Sequence, residues 1–349
     1  MSTNNFQHLI KLFSEGKDLD EQTAKDFISC LADPETTEEE LAELTKAWKA
    51  KGETPQDLAS IAKEILSRIE TVEVDDETID CCGTGGDNSH TFNISTASAF
   101  LAASLGLKVA KHGGRKTTSK SGSIDFLEAL GVSTIAEPKR IKEALGQSGL
   151  VFIASPANQK LLGRWKGVCG KLGFYGQTGL IGTLTNPVNL TYQIIGVAKP
   201  EWGLLMAESL KLLGRKKALI VHGSTLEGGL DEASLCGSTL FWKLENDEIT
   251  QFTINPQEFG INKNYELKDI KGGNPEENAK TFLFFLEGKT PKTRSEEAIR
   301  ETIFYNTALL LWIYGKTPTI KEGIQEAKNV TESGKALLFW KDYVVENFR

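Results

Sequence analysis

Three short segments concentrate residue types that bind anions and hard cations. Gly83-Thr84-Gly85-Gly86-Asp87 follows an apolar run, and Asn93-Ile94-Ser95-Thr96 opens a helical pattern just beyond it. Glycines at a strand end let backbone N–H groups approach an anion closely. A helix N-terminus adds free N–H donors and partial positive charge, and Ser95 and Thr96 add hydroxyls for a phosphate or a metal. Taken alone, the first stretch is equally a glycine turn before an N-capped helix. It is not G-x-G-x-x-G, so a dinucleotide fingerprint fits poorly.

The second segment is Lys111-His112-Gly113-Gly114-Arg115-Lys116, followed by Ser119-Lys120-Ser121-Gly122-Ser123. Cations and hydroxyls crowd together here in an acidic chain, a composition suited to a pyrophosphate. The bland reading is a solvated basic loop. The third segment is Gly229-Leu230-Asp231-Glu232. Adjacent carboxylates repel unless a cation or solvent separates them, and hard oxygen ligands suit Mg²⁺, which commonly bridges carboxylates and substrate phosphates. An Asp-Glu pair by itself is usually a surface turn; beside two phosphate loops it gains meaning.

These segments need elements to position them. Residues 1 to about 75 read as helices only: Leu9, Ile10, Leu12 and Phe13 recur at helical spacing. Thr37 with Glu40 forms a capping-box pattern, and Thr54-Pro55 with Asp57 marks another helix start. From about residue 76 short apolar runs alternate with helical segments. Strands are expected at Ile79–Cys82, Leu107–Lys111, Val151–Ala154, Gln193–Val197 and Ala218–His222. Helices are expected near 95–105, 123–130, 138–147 and 201–213. STLFWKL and EITQFTI read as peripheral strands, the charge run at 75–77 as a solvated linker, and the chain from about Pro275 as helical again. The fold class is therefore α/β: a small all-helical domain plus a larger α/β domain with a central, largely parallel sheet. Both glycine-rich loops would then follow successive strands and sit side by side on one sheet edge.

The chain has 349 residues and a formal net charge of −7. That balance disfavours general nucleic-acid binding. No run reaches the ~18 apolar residues of a membrane span, and the opening residues lack a signal-peptide pattern. The five cysteines, Cys30, Cys81, Cys82, Cys169 and Cys236, show no C-x-x-C. They argue against a zinc site or a disulfide framework and for the cytoplasm.

Together and in this order, the three segments resemble the anthranilate phosphoribosyltransferase family. The stretch from Asp80 to Val132 is close to that family nearly throughout. Thr185-Asn186-Pro187, Gln193-Ile194-Ile195-Gly196-Val197 and the GLDE at 229–232 also match. The resemblance implies transfer of the 5-phosphoribosyl group of phosphoribosyl pyrophosphate (PRPP) to an amine nitrogen, with release of pyrophosphate. It implies a small helical domain, residues 1–75 with a returning segment at about 165–190, and an α/β PRPP-binding domain at 76–349. A homodimer through the small domains is implied as well. By matching position, Gly83, Gly85, Gly86, Asp87, Asn93, Ser95, Thr96, Lys111 and Ser123 would hold PRPP. Ser95, Asp231 and Glu232 would hold Mg²⁺, and Lys111, Asp231 and Glu232 would carry the catalysis. His112 is expected to pack or hydrogen-bond near the loop.

The acceptor half departs from the family pattern. Gly114 stands where the family has Asn, and Ala157 and Asn158 stand in its Tyr-His run. Cys169 and Gly170 replace an arginine pair suited to a carboxylate. Tyr175-Gly176 replaces Arg-Thr, and Gly179 another Asn. Losing a carboxylate-binding arginine from a desolvated pocket is costly, so the expected acceptor is a small amine or aromatic other than anthranilate. Arg164, Lys166 or Lys171 could instead supply the missing cation and keep anthranilate. The bland reading of Arg164 and Trp165 is a helix-surface cation and a core aromatic, and that of Cys169 is packing. Two competing readings share the fold: a nucleoside-phosphorylase-like enzyme, and a non-catalytic paralogue that binds PRPP or nucleic acid through 111–120.

Overall fold

The computed structural model describes residues 3–114, 120–154, 156–174 and 176–347, with the side chains at 156–160 left aside. Four helices come first: α1 (Thr3–Ser14), α2 (Glu21–Ala32), α3 (Glu38–Lys51) and α4 (Pro55–Ser67). Their starts are set by the expected caps. Thr37 Oγ1 accepts from the Glu40 N–H and the Glu40 carboxylate accepts from the Thr37 N–H. Thr54 and Asp57 form the same box, with Pro55 in the first turn. Asp57 is fully buried, and its carboxylate also accepts from the Leu19 N–H at 2.8 Å and Trp48 Nε1 at 3.0 Å. Paired with Lys51, it joins α3, α4 and the loop before α2 through one well-satisfied buried charge.

The α/β region follows: β1 (Ile79–Gly83), α5 (Ile94–Ser104), β2 (Val109–His112), α6 (Ser123–Ala129), α7 (Pro138–Gln147), β3 (Leu150–Ile153), α8 (Pro156–Lys171), α9 (Gln177–Leu184), β4 (Tyr192–Gly196), α10 (Glu201–Leu212) and β5 (Lys217–Ser224). Then come β6 (Gly229–Leu230), the hairpin β7 (Thr239–Glu245) and β8 (Glu248–Ile254), and helices α11 (Pro275–Leu286), α12 (Arg294–Tyr314), α13 (Ile320–Glu332) and α14 (Lys335–Asn347). The sheet order is β3-β2-β1-β4-β5-β7-β8, with β6 beside β5. β1 to β5 pair in parallel; β6, β7 and β8 are antiparallel. The expected strands are all present, most displaced by one or two residues. Asp75, Asp76 and Glu77 are exposed, as a solvated linker should be.

Period-2 alternation divides the core. In β5, Leu219 and Val221 face one apolar cluster with α5 and α11–α14. Ala218 and Ile220 face another with α10 and the N-terminal helices. Helices on both faces let the central strands be apolar throughout. The segment from α8 to α9 returns to the N-terminal helices: Trp165, Val168, Cys169, Leu180 and Ile181 pack with Phe27, Trp48 and Leu58. α8 went unread as a helix because Gly163, Gly167 and Gly170 weaken its local pattern. Its buried side chains, including a Trp165 Nε1 bond to Thr45 Oγ1 at 2.8 Å, provide the tertiary stabilisation. Among the described residues no helix is long and apolar enough to cross a membrane.

Candidate active site

The strand order reverses between β1 and β4, where two neighbouring connections leave in opposite directions. Such a switch point opens a crevice at the carboxyl ends of the strands. A cleft of about 520 Å³ lies there. It is lined by the turn after β1, the start of α5, the end of β2, the start of α6 and the residues just after β6.

The turn after β1 has an unusual backbone. Gly85 and Gly86 have φ of 66° and 86°, and Asn88 and His90 also lie in the left-handed region. Alternating conformations of this kind turn successive N–H groups toward one concavity. Gly83 is obligatory for a second reason, since a Cβ there would overlap the Asp231 side chain. Asp231 Oδ2 accepts from the Gly85 N–H at 2.7 Å, and Glu232 Oε1 accepts from the Ser95 N–H at 3.1 Å. Glu232 thus occupies the exposed end of α5. The expected side-chain cap is absent because the Asn93 amide is used elsewhere. Asn93 Nδ2 donates to the Ser121 carbonyl at 3.2 Å and its Oδ1 accepts from Ser121 Oγ and Asn278 Nδ2. Asn93 thereby ties the first loop to the second.

Burial raises the pKa of Asp231 well above the ordinary carboxylate value, and neighbouring Asp87 adds to the effect. Glu232 is raised by burial and then by Asp231 and Asp87. The Thr96 hydroxyl and His90 Nδ1 are buried and have no hydrogen-bond partner among the described residues, and both residues line the cleft. Repelling acids with unsatisfied donors around them are unfavourable in isolation. A polyphosphate carrying a divalent cation would satisfy both sets.

Of the residues singled out from sequence, Gly83, Gly85, Gly86, Asp87, Asn93, Ser95, Thr96, Ser123, Asp231 and Glu232 all line this cleft, as does Gly114. Lys111 does not line it. It is 2% exposed, and its ammonium lies beneath the cleft, donating to the Cys81 carbonyl and, at 3.3 Å, to Ser95 Oγ. Strand alternation turns it under the floor, while His112, next along β2, reaches the cleft. Burial lowers the His112 pKa, which suits a packed, hydrogen-bonded role.

The acceptor-side residues separate. Cys169 is buried among Trp165, Val168 and Leu180, its thiol pushed up to about 12 by burial, and neither it nor Gly170 lines the cleft. Both lie farther along α8, about a turn beyond Lys166, past the stretch that borders the cleft. Ala157 and Asn158 lie in α8 with side chains outside the described set, and Arg115, Lys116, Ser119 and Tyr175 lie outside the described residues. Arg164 donates to the Asp33 and Thr36 carbonyls, and Lys171 pairs with Glu38 at the surface. Lys166 alone of these three cations lines the cleft. Sequence reading passed over Thr178, Gly182 and Thr183, which also line it. Their only signal is proximity to Thr185-Asn186-Pro187. There Asn186 Nδ2 bridges Asp80 Oδ2 and the Ala110 carbonyl, joining β1 to β2.

Residues 75–337 match the glycosyl transferase family, a/b domain. The chain is 40% identical over 324 residues to the anthranilate phosphoribosyltransferase of Bacillus cereus, covering 93% of this chain and 92% of that one. The chain belongs to the anthranilate phosphoribosyltransferase family. Its relative from Dictyoglomus turgidum is 36% identical over 329 residues, covering 94% and 96%. The anthranilate phosphoribosyltransferase of Thermus thermophilus superposes with a TM-score of 0.80 at 32% identity, over 97% and 98% of the two chains. The Saccharomyces cerevisiae enzyme in complex with PRPP and Mg gives 0.85 at 26% identity, over 99% of each.

Proposed function

We propose that this anthranilate phosphoribosyltransferase family member transfers the phosphoribosyl group of PRPP to the amino nitrogen of anthranilate, releasing pyrophosphate. One observation carries the reading: three segments far apart in sequence meet at a switch-point cleft, where buried carboxylates face glycine-loop N–H groups and an unpartnered threonine hydroxyl. Among the described residues no three His, Cys, Asp or Glu side chains form a metal cage. That suits Mg²⁺, which takes one or two carboxylates and completes its shell with substrate oxygens and water. Asp231 and Glu232, with Ser95, would hold it, and when bound with PRPP it would spread the leaving group's charge.

The chain's own groups have distinct tasks. The Gly86 N–H, the Thr96 hydroxyl and Ser123 receive phosphate oxygens, while the Gly85 N–H holds the Asp231 carboxylate in place. Lys111, from beneath, stabilises Ser95 and the negative charge gathering above it. The acceptor nitrogen forms a bond to ribose C1 as the C1–O bond to pyrophosphate breaks, and the nitrogen sheds a proton. An aromatic amine is already a nucleophile, so positioning across the cleft supplies much of the rate. The same reading takes residues 1–75 with the segment at 165–190 as the small domain of a cytoplasmic homodimer; light scattering tests the dimer.

The test is anthranilate consumption, followed by its fluorescence. Signal loss requiring both PRPP and Mg²⁺ supports the proposal. Calorimetric PRPP binding without anthranilate loss would reassign the acceptor, and uridine or thymidine phosphorolysis would replace the reading altogether.

A further inference from the structure

We infer that Lys166 receives the carboxylate of the acceptor; this rests on the phosphoribosyl-transfer reading above. On α8, Gly163 and Lys166 are exposed and line the cleft beside the buried Leu162, while Trp165, Val168 and Cys169 are buried against the N-terminal helices. Lys166 is the only lysine or arginine among the described lining residues, and the lining carboxylates Asp87, Asp231 and Glu232 belong to the phosphate side. Among the described residues it has neither an ion pair nor a hydrogen-bond partner. It is open to water through the cleft mouth, yet surrounding protein desolvates it enough to lower its pKa.

Gly114, Gly163 and Gly182 line the same cleft with nothing within 4 Å of where a Cβ would stand, so the lining there leaves open space, and Leu162 supplies an apolar surface. An acceptor carboxylate entering that cleft needs a cation to replace its hydration. Arg164 and Lys171 are engaged elsewhere. A compact ammonium on a flexible stem can meet such an anion from about one turn earlier on the helix that carries the arginine positions of the family pattern.

The experiment compares wild type, Lys166→Met and Lys166→Arg, using anthranilate and its uncharged analogue anthranilamide as acceptors. Loss of a charge-assisted bond should raise the KM for anthranilate by about tenfold or more. The PRPP KM and anthranilamide turnover should stay unchanged, and Lys166→Arg should recover most of the affinity. A Met variant that weakens PRPP, affects both acceptors equally or behaves as wild type overturns the inference while leaving phosphoribosyl transfer standing. A wild type that neither consumes anthranilate nor binds it in calorimetry with PRPP present overturns the inference and the anthranilate reading together.

Discussion

The two sides of the cleft are built differently. The phosphate side is made from strand ends and tight turns, and its candidate residues converge with the exception of Lys111, which works from below. The opposite side is made from α8 and the start of α9, and there the expected pair Cys169 and Gly170 lies beyond the lining while Lys166 lines the cleft. The difference lies in what encodes each side. Backbone N–H groups reach an anion only where glycine and turn geometry allow, so spacing along the chain reveals the site. A helical wall presents whichever residues its rotation selects, and rotation is set by distant apolar partners such as Phe27, Trp48 and Leu58.

The largest effect should come from the acids on the phosphate side. Replacing Asp231 with Asn and Glu232 with Gln should lower turnover by about 100- to 1000-fold, a loss typical of removing groups that stabilise developing charge. The apoprotein should gain stability. The sign follows from the raised pKa values: folding makes these acids hold protons they would release when unfolded, so their ionisation opposes folding as pH rises above the unfolded value. Lost turnover with lower stability would show structural pillars instead. For the same reason, PRPP–Mg²⁺ binding to wild type should release protons and tighten as pH rises toward the raised values. Calorimetry in buffers of different ionisation enthalpy reads this directly, and no proton release would break the assignment.

A smaller effect should join the two sides. Gly179 of α9 approaches the β1 turn so closely that an added Cβ would overlap the Thr84 carbonyl, and Gly176, at φ 81°, meets the Gly85 carbonyl and Trp202. Gly179→Ala should cost about 1–3 kcal/mol by overpacking and raise the PRPP KM, because Gly85 and Thr84 must shift. Thermal melting and steady-state kinetics check this; an unchanged PRPP KM would mean the sides are independent. The smallest effect should be Arg164→Ala. Its guanidinium binds loop carbonyls between α2 and α3, so removal should cost only about 0.5–1.5 kcal/mol of stability and leave the anthranilate KM unchanged. A raised KM would return Arg164 to the acceptor site.

Much of this architecture is legible in the amino-acid order. Capping boxes at Thr37 and Thr54, the alternating apolar runs and the first glycine loop dictate local geometry through neighbours a few residues apart, and those elements formed where expected. α8 escaped notice because its three glycines weaken local propensity, while its stability comes from contacts made across the molecule. The sequence by itself determined the α/β alternation, the glycine turn of the first loop and the adjacency of two carboxylates at Asp231 and Glu232. Only the tertiary structure decided that Lys111 sits under the floor, that Asn93 clasps the second loop rather than capping α5, and that Lys166 faces the cleft while Cys169 is buried. Local torsions and hydrogen-bonding groups travel with the residue; the direction a side chain takes from a strand or helix depends on packing by residues remote in sequence.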